Sequence, residues 1–175
     1  LNDLTHEGGL TAIRIEGPSN SVDQRLERLS KELGLIDQEL SIIDNEQSNI
    51  FWNRTKNLEV FKSLKSNLLR IVVPSSETLQ VIQKLKNYEI KYFIDWGGAL
   101  IWASFDQLNN KILIEMKELV KNHHGYITLI KIEEDLKAAA DIFTIDPIKY
   151  KISEKIKKSF DPKRIFNPGK MYTGI

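Results

Sequence analysis

The order of periodic segments predicts an α+β fold with a mostly antiparallel sheet and helices on one face. Residues 68 to 132 run strand, helix, strand, strand, helix, strand, the β-α-β-β-α-β order of a ferredoxin-like unit. A glycine pair, Gly97-Gly98, separates two apolar strands as a hairpin turn would, and a strand-helix-strand pattern precedes the unit.

The elements follow from local pattern. Residues 10–16 alternate, with Thr11, Ile13 and Ile15 on one side and Arg14 and Glu16 on the other, which predicts a half-buried strand ended by Gly17-Pro18. Ser21 and Gln24 stand at capping-box spacing before a stripe of Val22, Leu26, Leu29 and Leu33, and Gly34 is placed as the residue after the helix. Residues 36–43 read as a return strand, and 46–65 as an irregular helix anchored by Phe51 and Trp52.

In the second half, Leu68 to Val73 is a strand stopped by Pro74. Ser75 or Ser76 caps a helix carrying Leu79, Ile82 and Leu85. Ile90–Trp96 and Ala99–Phe105 form the hairpin, with Gly97-Gly98 as a two-residue turn whose positive φ glycine tolerates. A helix over 109–123 presents Ile112, Met116 and Leu119, and Tyr126–Ile132 is the last strand. Asp146-Pro147 then caps a helix with Ile148, Ile152, Ile156 and Phe160 on one stripe, flanked by six lysines between Lys149 and Lys163. That lysine run reads as a solvated helix face.

Composition removes several function classes. The 175 residues suffice for one domain, or for two small ones sharing a sheet. With 25 basic against 24 acidic residues, the net charge gives no field to attract nucleic acid. The absence of Cys excludes disulfides, thiolate metal sites and thiol nucleophiles, and suits a cytoplasmic location. No apolar run approaches the roughly 20 residues of a membrane span. There is no G-x-G-x-x-G or G-x-x-x-x-G-K-S phosphate loop, so a dinucleotide would need its pyrophosphate held elsewhere.

Candidate chemistry is sparse. His123 and His124 are adjacent, point about 100° apart on a helix and cannot chelate one metal together, so no metal site is expected. His124 before Gly125 reads as a helix C-terminal residue. Arg70 lies within an apolar strand, on the face of Leu68 and Val72. A guanidinium there either clamps a substrate carboxylate or pairs with Asp95 or an acid of a partner domain, because a buried unpaired charge is costly. Tyr92, Phe93, Trp96 and Trp102 read as core or interface aromatics.

The most specific segment is the tail, residues 160–175. Asp161-Pro162 opens a turn by capping N–H groups, and Asn167-Pro168-Gly169 forces a reversal that leaves Asn167 as a fixed amide beside Lys170. The pattern D-P-x-x-x-x-N-P-G-K resembles the C-terminal signature of FAD-linked oxidases of the vanillyl-alcohol oxidase type. Asp95-Trp-Gly-Gly-Ala-Leu-Ile-Trp102, His124-Gly-Tyr-Ile-Thr-Leu-Ile130, Phe51-Trp52 and Leu69-Arg-Ile-Val-Val-Pro-Ser75 are similar to segments of the E-type subunits of bacterial glycolate oxidases.

The resemblance implies residues 1–9 as a linker from an N-terminal FAD-binding domain and 10–175 as a cap or substrate domain, with the tail returning to the flavin domain. It implies a flavin-dependent 2-hydroxyacid oxidoreductase acting on glycolate, with FAD as cofactor, D- and F-type subunits as partners, and any inner-membrane attachment made through them. Asn167, Gly169, Lys170 and Arg164 would contact the cofactor and Arg70 the substrate, while no catalytic residue is assigned. The metal-binding histidine patterns of related catalytic subunits have no counterpart here. Two other readings stay open: a single-chain FAD oxidase of another hydroxyacid or alcohol, and a non-enzymatic ferredoxin-like binding module.

Overall fold

The computed structural model describes residues 9–34, 41–62, 67–133, 136, 144, 146–170 and 172. The chain divides into two compact units, Leu1–Ser63 and Leu64–Ile175.

The regular structure described in the first unit is helical: α1 (Ser19–Gly34), α2 (Asn45–Lys56) and a 3-10 turn at Glu59–Phe61. Helix α1 starts two residues before the expected Ser21 cap, because the Pro18 carbonyl already accepts from the N–H groups of Ser21 and Val22, both at 3.0 Å. Gly34 is its last helical residue and not the one beyond it. The stripe of Val22, Leu26, Leu29 and Leu33 is half-buried. Asp44 caps α2 by accepting from Gln47 N at 2.8 Å, and Phe51 meets Trp52 edge to face at 5.3 Å. Leu58, at φ 54, breaks the irregular helix expected over 46–65.

The strand expected over residues 10–16 does not form: that segment has no regular structure, and Ile13 on its supposed inner side is exposed. Alternation prepares a segment for a sheet but supplies no ladder, and among the described residues the first unit contains no strand to pair with. Residues 41–43 of the expected return strand also have no regular structure, and its residues 36–40 lie outside the described ones.

The second unit carries the ferredoxin-like order: β1 (Asn67–Val72), α3 (Thr78–Leu85), β2 (Ile90–Asp95), β3 (Leu100–Phe105), α4 (Asn110–Asn122) and β4 (Tyr126–Lys131), followed by α5 (Pro147–Phe160). The sheet order is β2-β3-β1-β4 and every neighbouring pair is antiparallel. Because side chains alternate, one face gathers Leu69, Ile71, Val73, Ile101, Ala103, Phe105, Ile127 and Leu129. Helix α3 adds Val81, Ile82 and Leu85 to this core, and α4 adds Leu113, Met116 and Val120. On α4 the buried stripe is thus rotated from the expected one; Ile112 and Leu119 are half-buried at its margin.

Local details depart from expectation where tertiary contacts intervene. Ser75 and Ser76 do not cap α3; they lie in the turn before it, Glu77 precedes the helix without a side-chain cap, and Leu79 is exposed. Thr78 instead donates its hydroxyl to the Gly98 carbonyl, tying the helix start to the β2–β3 connection. That connection is not a two-residue turn. Asp95 pairs with Leu100, so Trp96–Ala99 make a four-residue link in which Trp96, Gly97 and Gly98 have φ of 55°, 59° and 102°. Gly98 is needed there twice, for its φ and because a Cβ would lie 3.3 Å from Ser75 Cβ.

Candidate functional site

Helix α5 and the tail form one local construction. Asp146 accepts from the N–H groups of Ile148 and Lys149, each at 2.9 Å, and Pro147 occupies the first turn, as the sequence predicts. At the other end, the Asp161 carboxylate folds the exit chain back on itself: Oδ1 accepts from Ile165 N and Oδ2 from Phe166 N, both at 2.9 Å. Lys157, one turn earlier, places Nζ 2.7 Å from Oδ2. The Lys157 ammonium first, and then the two N–H groups, lower the Asp161 carboxyl from its ordinary 3.8 to about 2.

This clasp delivers the N-P-G-K segment. Asn167 sits at φ 46, Gly169 at φ 69, and Lys170 N reaches the Asn167 carbonyl at 3.2 Å. Pro at the second position and a positive-φ Gly at the third are the requirements of a type II turn. The Asn167 side chain is exposed and forms no hydrogen bond with the described residues, so its amide is not used to close the turn. Lys170 and Arg164 are exposed on the same stretch, and Arg164 has φ 51. The tail therefore brings Arg164, Asn167, Gly169 and Lys170 together within seven residues. Arg70, on β1, belongs to a different place in the unit.

An apolar surface continues along this construction. Ile148, Ile152, Ile156 and Phe160 of α5 are exposed, Phe160 at 85%, as are Ile165 and Phe166 of the tail. The expected stripe exists, and it is not turned into this unit's own core. Exposed large apolar side chains on the sheet are fewer. On the sheet face opposite α3 and α4, Leu68, Leu100 and Ser104 are buried, and Phe93 and Trp102 are half-buried with ring centroids 6.5 Å apart.

Arg70 shares this second face with Leu68 and Val72, the neighbours its spacing predicts, and is cross-strand from Trp102 on β3 and Thr128 on β4. It does not pair with Asp95, whose carboxylate accepts from Trp96 N at 2.7 Å. The guanidinium instead stacks over the Trp96 ring, 4.9 Å from its centroid. The sequence marks Trp96 only as a core or interface aromatic and does not show this contact, which depends on a strained loop conformation that spacing does not reveal.

His123 is the residue after α4, and its Nδ1 lies 2.7 Å from Glu77 Oε2, linking the end of α4 to the start of α3. No signal in the sequence joins two residues 46 positions apart. Among the described residues, no group of three or more His, Cys, Asp or Glu could hold a metal ion.

Helix α5 thus delivers a basic, glycine-turned tail within the unit that carries the ferredoxin-like sheet. Residues 142–171 match the family described as FAD linked oxidases, C-terminal domain. Over 164 residues the chain is 27% identical to the glycolate oxidase subunit GlcE of Escherichia coli (strain K12), a match covering 93% of this chain and 39% of that protein. The chain thus spans about two fifths of the length of this relative. No solved structure matches. Together the two findings support an FAD-linked oxidase C-terminal domain. No helix among the described residues is long and apolar enough to cross a membrane.

Proposed function

We propose that this chain is the cap part of a flavin-dependent 2-hydroxyacid oxidoreductase acting on glycolate, with residues 1–9 leading from an FAD-binding domain and residues 10–175 closing over the flavin. The observation that carries the reading is the Asn167 amide, held by the Pro168-Gly169 turn yet bonded to none of the described residues. The likeness to GlcE, a glycolate oxidase subunit, supports the substrate class. The uncovered apolar stripe of α5 and the tail supports a flavin domain as its cover, since contiguous exposed apolar surface marks an interaction site.

The donor set fits FAD in part. Asn167 offers an amide for the polar edge of the isoalloxazine, Lys170 and Arg164 offer cations for a phosphate or an acidic group, and Gly169 lets the backbone approach closely. The chain has no glycine-rich phosphate loop, so the pyrophosphate would be held by the other domain. FAD supplies the hydride acceptor. This chain's residues orient the cofactor edge and exclude water, and Arg70 anchors the substrate carboxylate. D- and F-type subunits complete the assembly, which is cytoplasmic and reaches the inner membrane through them.

The test is flavin retention. The 175-residue chain alone should purify colourless, and stoichiometric yellow flavin surviving gel filtration would contradict the division of labour. In the flavoprotein that contains this chain, Asn167→Ala should raise the flavin dissociation constant about threefold to tenfold, the range of one hydrogen bond. Unchanged flavin affinity with lowered thermal stability would make the tail a structural clasp only.

A further inference from the structure

Arg70 sits on an interior strand, half-buried, and no carboxylate among the described residues pairs with it. A partly desolvated guanidinium is ordinarily matched by an acid. Here one of its faces is taken by the Trp96 ring. Stacking fixes the plane of the guanidinium and leaves its N–H edge, the part that forks onto a carboxylate, unspent.

Trp96 reaches this position at a conformational cost. It is a bulky residue at φ 55, where a side chain is disfavoured. Three contacts hold the loop there: Asp95 accepts from Trp96 N, Ala99 N reaches the Trp96 carbonyl at 3.3 Å, and Thr78 donates to the Gly98 carbonyl. An over-determined strained residue of this kind is more common at ligand sites than elsewhere.

Thr128 is the cross-strand neighbour of Arg70 on β4 and projects from the same face. Its half-buried hydroxyl makes no hydrogen bond with the described residues. Strand pairing sets the two Cα atoms about 5 Å apart. A fork-shaped cation for a carboxylate therefore stands beside a neutral hydroxyl that can bond a substituent on the next carbon.

We propose that Arg70 and Thr128 form a binding site for a small 2-hydroxycarboxylate, and that Trp96 is its positioning residue, stacking Arg70 into the orientation that receives the carboxylate. This rests on the oxidase reading for the substrate class but on the sheet geometry for the site. The test is a side-chain NMR titration of the 175-residue chain with sodium glycolate, followed at the Arg70 Nε–H and Trp96 indole N–H signals. Glycolate should produce saturable shifts at both, and the uncharged isostere glycolamide none.

Arg70→Gln should abolish binding. Trp96→Leu should weaken it about twofold to fivefold, the value of an exposed cation–π contact, while Trp96→Phe retains most of it. Thr128→Val should bring glycolate down to the affinity of acetate. Should Trp96→Leu fail to fold, Trp96→Gly, which suits the backbone at that position, removes the ring without the strain. Absence of saturable shifts, equal response to glycolamide, or parent affinity in the ring-less variant would overturn the proposal. No flavin enters the titration, so the two readings fail separately. A failed titration beside intact glycolate oxidation by the flavoprotein sinks this site alone, and a successful one beside no oxidation sinks the oxidase reading alone.

Discussion

Gly125→Ala should destabilise the second unit by about 3 kcal/mol, the upper end of the cost of overpacking a core. Gly125 joins α4 to β4, and a Cβ on it would run into the Val72 carbonyl oxygen, Val73 Cγ1 and Val120 Cγ1, closer than real Cβ atoms come to their neighbours. The first of these is backbone of an interior strand and cannot swing away. The helix end by itself would place glycine one position earlier, so it is the close approach to β1 that requires it here. Gly125 N donates to the Val120 carbonyl at 2.8 Å and His124 N to the Lys121 carbonyl at 3.0 Å, the paired bonds of a Schellman motif. Its left-handed residue is His124, at φ 57, where glycine is usual. His124→Gly should accordingly be stabilising, by about 1 kcal/mol. Urea denaturation of both variants beside the parent checks the pair. Equal midpoints for Gly125→Ala and parent would show that the close approach is not rigid.

Asp161→Ala should release the tail while leaving the sheet folded. The substitution removes the acceptor of two N–H groups and the partner of Lys157 in one step. Trypsin cleavage after Lys163 and Arg164 should become several-fold faster, as expected when a capping carboxylate is lost. The parent should show the same release with acid. Its folded carboxyl titrates at about 2 against an ordinary 3.8, so the clasp is at full strength above the unfolded value and is lost as pH falls from about 4 toward 2. The Ile165 and Phe166 amide signals should titrate with a midpoint near 2. A midpoint near 4, or unchanged proteolysis in Asp161→Ala, would mean that the Lys157–Asp161 contact does not hold the tail in solution.

Elements that bury their own periodic face were legible. The four strands of the second unit, α3, α4 and the antiparallel sheet follow from apolar spacing because those side chains meet in one core. The Asp146-Pro147 start of α5 and the Asx-Pro tail were legible for a different reason: capping and turn chemistry act within a few residues and need no distant partner. The strand expected at residues 10–16 failed because alternation is only half of a strand, and the described part of the first unit provides no second one.

By itself, then, the sequence determined the local devices: which faces are apolar, where α5 begins, how Asp161 turns the chain, and the tail pattern that resembles the FAD-linked oxidases. It also placed Arg70 on one sheet face with Leu68 and Val72, because strand alternation is a strict period of two. Only the tertiary structure decided what Arg70 meets. Its ring partner, Trp96, is 26 residues away, and the contact exists because a four-residue link, held by Asp95 and by Thr78 from α3, takes a conformation that composition does not favour. The same is true of Glu77 with His123 and of Gly125 against β1: contacts between elements are set by how the layers pack, and spacing along the chain carries no information about them.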